Sequence, residues 1–169
     1  MFRKTILSLS LCLGATSFVY ADSVADAPNG IHFPSDYRNW KTIAVSHRID
    51  NHSLRTILGN DIAVKAAEEG KTNPWPEGTI LGKVVWKEKV DADWNQAIVP
   101  GEFVHAEFMV KDNKKYQATN GWGYARWVGK ELKPYGGSDA NIVNECVACH
   151  TPVQNNDWVY THPASFPHP

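Results

Sequence analysis

Two thiols and an imidazole stand together in Cys146-Val147-Ala148-Cys149-His150. A Cys-x-x-Cys-His run is the attachment signature of haem c. The two thiols add across the haem vinyl groups, and the adjacent histidine is held against the iron as an axial ligand. Cys12 is the one other cysteine, and it falls inside an apolar leader. Three other chemistries compete for the motif. A thioredoxin-like redox pair needs a strand–motif–helix setting early in a βαβ unit, and this motif lies near the end of the sequence. A structural zinc site needs four ligands; His162-Pro163 and His168-Pro169 lie in a proline-rich tail without finger spacing. A disulfide between Cys146 and Cys149 closes too small a loop to stabilise much.

The second axial position depends on the residues beyond the motif. Electron-transfer cytochromes c place a methionine well downstream. Here 19 residues come after His150 and none is Met. Met109, the one methionine outside the leader, sits in an alternating strand pattern and reads as core. The expectation is one haem c with five-coordinate iron and an open face. Spacing alone leaves His47, His52, His105 and His162 open as a second ligand.

The elements that must position this group are mostly strands. Thr42–Arg48, Leu54–Leu58, Thr79–Trp86, Phe103–Val110 and Tyr124–Val128 are short and rich in β-branched or aromatic residues. Asn73-Pro74-Trp75-Pro76, Pro100-Gly101, Asn120-Gly121 and Pro134-Tyr135-Gly136-Gly137 punctuate them. Asn60 caps a predicted helix from Asp61 to about Glu69, ended by Gly70. A helical turn around Asn141–Cys149 suits the haem motif. The fold class is therefore mainly β: a single antiparallel sheet domain with a few short helices and the haem attached near the C-terminus. The seven Trp read as core and haem-wall material.

Residues 1–21 are expected to be an export signal. Arg3 and Lys4 precede an apolar run from Ile6 to Val19, and Val19-Tyr20-Ala21 suits cleavage before Asp22. The run falls short of the roughly 20 residues that span a bilayer. The expected mature domain is residues 22–169, periplasmic and free of the membrane. Losing Arg3 and Lys4 takes 17 basic and 18 acidic residues to 15 and 18, and the net charge from -1 to -3. That balance excludes a strongly basic nucleic-acid binder.

Taken in order, several strings resemble the cytochrome P-460 family. They are Asp36-Tyr37-Arg38-Asn39-Trp40, Leu54-Arg55-Thr56, Gly78-Thr79-Ile80-Leu81-Gly82-Lys83 and Ala106-Glu107-Phe108-Met109-Val110-Lys111-Asp112. Gly121-Trp122-Gly123-Tyr124-Ala125-Arg126-Trp127, the haem motif and Asp157-Trp158-Val159-Tyr160-Thr161 complete the set. The resemblance implies a homodimeric, antiparallel β protein with one of two activities. One branch of the family carries a lysine covalently bonded to the haem macrocycle and oxidises hydroxylamine to nitrogen oxides, passing electrons to an external acceptor such as a small cytochrome. The other, cytochrome c′-beta, lacks that bond and binds nitric oxide or other small gases.

The resemblance places Lys83 at the cross-linking position and Arg55 beside the distal pocket. The residues themselves permit other readings. Along its strand Lys83 is flanked by apolar residues on both faces, which suits either a buried amine or a snorkelling stem. Arg55 can serve a ligand or a haem propionate, or pair on the surface with Asp50 or Asp61; Arg126 invites the same two readings. Oxidation of hydroxylamine needs a proton acceptor. Glu107 and Asp139 are candidates, and neither is assigned. The sequence therefore carries an enzyme reading, a gas-binding reading and a plain electron-transfer reading. Mass spectrometry of a tryptic digest of the haem-loaded protein checks the lysine: a cross-linked Lys83 peptide carries the haem mass, and an unmodified one removes the enzyme branch's defining bond.

Overall fold

A computed structural model describes residues 24–136 and 141–167. The leader, Asp139 and His168 lie outside the described residues. Six strands form one antiparallel sheet in sequential order: β1 (Lys41–Arg48), β2 (Ser53–Gly59), β3 (Ile80–Val90), β4 (Ile98–Lys111), β5 (Trp122–Val128) and β6 (Lys133–Pro134). Every strand pairs with its chain neighbour, so the sheet is a meander. Two helices accompany it, α1 (Asp61–Glu68) and α2 (Asn141–His150), with a 3₁₀ segment at Thr151–Asn156 directly after α2. The mainly β expectation holds. No helix among the described residues is long and apolar enough to cross a membrane.

Local signals place most boundaries. The Asn60 side chain accepts from Ala63 N–H (3.0 Å), which caps α1 as expected. The same oxygen accepts from Ile80 N–H (3.1 Å), so the cap also ties α1 to β3. Gly70, at φ +67°, comes after the helix in the left-handed region. The β3–β4 hairpin is longer than the composition suggested. It runs on through Lys87–Val90 and Ile98–Glu102, where charged residues and Pro100 mask the strand pattern. Pro100 is tolerated because the ladder is already irregular there: its register shifts between Trp86 and Glu88.

The two faces of the sheet are covered differently. On one face Ala106, Phe108, Ala125 and Trp127 pack against Ala27 and Ile31 of the N-terminal segment. Phe33, Tyr37 and Trp40 add edge-to-face rings around Phe108, at centroid separations of 5.6, 5.7 and 6.1 Å. Gly82 makes room for this cluster, since a Cβ there would sit 2.9 Å from the Phe108 ring. On the other face Leu81 and Tyr124 pack with Ile43, α1 residues Ala63, Val64 and Ala66, and Trp75, Trp122 and Val159.

Trp127 is fully buried, and its indole donates to the Ala25 carbonyl (2.8 Å). Trp127→Ala is expected to lower the unfolding free energy by about 3–5 kcal/mol, read from urea denaturation.

Candidate functional site

Register across the sheet, more than spacing along any strand, builds the site. Because side chains alternate, paired residues two apart stand on one face in rows. Three rows face α2. Leu81, Met109 and Tyr124 form the first; Ala44, Ile57, Lys83, Glu107 and Arg126 the second; Ser46, Arg55, Val85, His105 and Val128 the third. Opposite them stand Cys146, Cys149 and His150 of α2, with Val159 to His162 beyond. Between the two walls lies a cavity of about 780 Å³, within the roughly 300–1,000 Å³ usual for cofactor sites.

The charges of the middle row are concentrated on one carboxylate. Glu107 is ion-paired with Lys83 Nζ and accepts from Arg126 Nε (2.5 Å), while His105 Nε2 stands 3.4 Å away. Burial pushes Glu107 up, but the positive charges of Lys83 and Arg126, with His105 and the Lys83 hydrogen bond, outweigh it and hold the carboxyl down at about 2. Burial pulls His105 down to about 4, against the pull of Glu107. The imidazole is thus neutral near pH 7. Arg126 also reaches Glu145 of α2 (3.6 Å), which ties the helix to the sheet.

Arg55 is arranged differently. Its Nη2 donates to Ser53 Oγ (3.2 Å), and its buried Nε has no partner. Asp50 is taken by Arg48 (2.7 Å to Nε), so the surface pair open to Arg55 on sequence does not form among the described residues. A guanidinium lining a cavity without a carboxylate leaves donors for something bound there. The Tyr124 hydroxyl is the second orphan: the residue is 3% exposed, lines the cavity and has no hydrogen-bond partner. Burial pushes its phenol up, so it stays a donor.

The haem motif is poised for attachment. Both thiols are free, and both line the cavity. Nδ1 of His150 lies 2.6 Å from the Trp158 carbonyl. A carbonyl only accepts, so Nδ1 carries the proton and Nε2 keeps its lone pair. The Tyr124 and Tyr160 rings flank the imidazole at 5.3 and 5.4 Å. Burial lowers His150, which favours the neutral, ligating form. Two thiols, a free imidazole nitrogen, two unpartnered donors and a cavity of this size fit a covalently held haem with Cys146, Cys149 and His150 as its attachment residues.

The structure brings Lys83, Arg55, Cys146, Cys149 and His150 to one cavity. Two expectations change. Lys83 keeps its apolar neighbours, Leu81 and Val85 along the strand and Ile57 across it, but on its other side it meets Glu107, which strand periodicity could not reveal. Among the described residues no Trp lines the cavity; Tyr124, Tyr160 and Phe108 do, while Trp75, Trp122 and Trp127 are buried in packing. Of the open second-ligand candidates, His47 and His52 are paired with Glu88 (2.5 and 2.8 Å) away from the cavity, and His162 lines it. Sequence reasoning missed Tyr124 and the Trp158 carbonyl. Both lie in strings it had singled out, but nothing along the chain marks their partners.

The family model described as Cytochrome P460 matches residues 34–161. The chain therefore belongs to that family, and its cofactor is haem. A comparison with curated proteins finds no match.

The charged row makes stability depend on pH in two steps. His105 falls from its ordinary 6.5 to about 4 in the fold, so its contribution is complete above 6.5 and is lost as pH drops toward 4. Glu107 falls from 4.5 to about 2, so its contribution is lost between those values. In thermal melts His105→Gln is expected to flatten the first loss and leave the second.

Proposed function

We propose that this cytochrome is a periplasmic mono-haem c protein that oxidises hydroxylamine to nitrogen oxides and passes electrons to an external acceptor such as a small cytochrome. Cys146 and Cys149 would hold the haem by thioether bonds, with His150 as the axial ligand. The carrying observation is the layout of the cavity face. The His150 ring stands beside Tyr124, at one end of the strand face. Arg55 lies two rows away, in the row of Val128. Four residues separate Tyr124 from Val128, about 13 Å at ~3.3 Å per residue. That leaves the Arg55 side for a small ligand. When bound, the haem supplies a redox-active iron that accepts electrons from the substrate nitrogen.

The residues divide the work. Arg55 lines the cavity and has no carboxylate partner among the described residues, and its guanidinium would orient the hydroxyl oxygen of hydroxylamine. Glu107 is ionised throughout the neutral range, but at about 2 it is too weak a base to take substrate protons well. Its work is to hold Lys83 and Arg126 against the cavity. Lys83, which lines the cavity, would supply the bond to the macrocycle that the family resemblance implies. Such a bond needs the amine lone pair, so the Lys83–Glu107 ion pair must open first.

That ion pair also supports a second reading. Lys83 already has a buried partner, which favours a protein without the cross-link that captures nitric oxide or another small gas on the Arg55 side. An electron carrier with a Met/His axial pair has less behind it. Met109 stands in the Tyr124 row, on the same side as His150. The proposal includes a homodimer and removal of residues 1–21, for which a periplasmic protein starting at Asp22 is the check.

The ferrous optical spectrum separates the two main readings. A Soret band displaced strongly to the red is expected for the cross-linked enzyme, and an ordinary high-spin haem c band for the gas binder. Turnover is then measured as hydroxylamine consumed in the presence of an electron acceptor. Arg55→Leu is expected to lower kcat/KM by about 10- to 100-fold, the loss of one charged hydrogen bond. No consumption by the unaltered protein sinks the enzyme reading.

A further inference from the structure

The carbonyl that receives His150 Nδ1–H belongs to neither a helix nor a strand. It is carried by Trp158, at φ +64°, directly after Asp157 at φ +47°. Two consecutive non-glycine residues in the left-handed region are uncommon, and for a bulky Trp the conformation is an outlier. Such backbone persists only where its surroundings over-determine it.

Asp157 supplies the surroundings. Its carboxylate accepts from Lys111 Nζ at 2.8 and 3.0 Å and from the Trp75 N–H at 2.8 Å. Its carbonyl accepts from the Trp122 indole at 2.8 Å. Lys111 projects from β4 on the face of the sheet that carries the cavity, one row beyond Met109. Its side chain is 4% exposed and that of Asp157 10%, and the ammonium lies 4.8 Å over the Trp122 ring. Neither member of this pair lines the cavity. A buried ion pair of this kind is weak evidence for stability and is better explained by what it holds in place. What it holds is the turn whose next carbonyl meets His150.

We propose that the Lys111–Asp157 pair is a positioning device for the axial imidazole. It fixes the Trp158 carbonyl against Nδ1 of His150 and so sets the plane of the ring and the donor strength of Nε2 toward iron. A hydrogen bond that draws on the Nδ1 proton makes the opposite nitrogen a stronger donor. Stronger donation favours the ferric state, so the pair holds the reduction potential down. Neither residue touches the haem; both act through the backbone of residue 158. The inference rests on His150 as the axial ligand and needs neither hydroxylamine turnover nor the Lys83 bond.

The test uses the haem-loaded full chain, read by resonance Raman of the ferrous iron–histidine stretch and by redox titration. Lys111→Met with Asp157→Asn removes both charges together and leaves no unpaired ion to unfold the core. Asn also tolerates the left-handed backbone at 157. This double variant is expected to move the stretch to lower frequency and the potential upward. Lys111→Arg keeps the pair and is expected to retain the original values. Trp127→Phe loosens the opposite face of the sheet and serves as the control for general destabilisation. Unchanged stretch and potential in the double variant would overturn the proposal. So would an equal shift in Trp127→Phe, which assigns the effect to looseness. Where the double variant loads no haem, Asp157→Asn alone carries the same expectation and the same refutation. Loss of the iron–histidine band in His150→Ala supports the ligand assignment. Its survival there overturns that assignment and the proposal with it, whereas a failed Asp157 test leaves it standing.

Discussion

A single half-buried carboxylate governs the charged face of the sheet. Glu107 sits between Lys83 and Arg126 in one row of the register, with His105 on the same strand. Without its charge the row would hold cations on β3 and β5 with no anion between them, and Arg55 in the next row. Their repulsion would oppose both the pairing of β3 with β5 through β4 and the closure of α2 over the face. With it, the charges neutralise locally and Arg55 is left as a cavity-facing guanidinium without a counter-charge. The same residue guards the register. A one-residue slip of β4 would turn Glu107 toward the Phe33–Tyr37–Trp40 cluster and bring Phe108 to the cavity.

One sheet face supplies both the His150 end and the Arg55 end of the cavity wall. The Tyr124 row flanks His150, the Lys83 row faces the middle, and the Arg55 row lines the far side. A meander places these rows in order because each strand lies beside the next in the chain. The opposing wall is a short helix with little packing of its own on the sheet. It is secured by Arg126 to Glu145, by Cys146 and Val147 against the core, and by the segment after it. That segment returns to the sheet through Lys111 and Asp157, so His150 is anchored at both ends of its hydrogen-bond chain.

Much of this was legible in the residues. Five strands, the Asn60-capped helix and the short helix of the haem motif were all located from period, caps and turn residues. Cys146, Cys149 and His150 were singled out from the motif, and Lys83 and Arg55 from the resemblance; all five line the cavity. What escaped has a common cause. The Lys83–Glu107 pair spans 24 positions and the Lys111–Asp157 pair 46, and no local pattern reports who stands opposite whom. The Trp residues misled for a related reason. Composition says that large rings will be buried, but only topology decides which face buries them. The extension of the β3–β4 hairpin was hidden by Lys87, Glu88, Lys89 and Pro100, which are tolerated there because both flanks meet solvent.

The sequential strand order bears on how such a protein is made. In chain order all five long strands come before Cys146, so they are the first part of the fold to emerge wherever the chain is delivered. The sheet wall of the cavity is thus specified ahead of Cys146 and Cys149. Cofactor insertion becomes a finishing step performed on a shaped mould, in contrast to chains whose haem motif emerges first and around which the remainder must wrap. The late motif transfers the burden of early folding to the aromatic cluster on the far side of the sheet, which needs no haem to close.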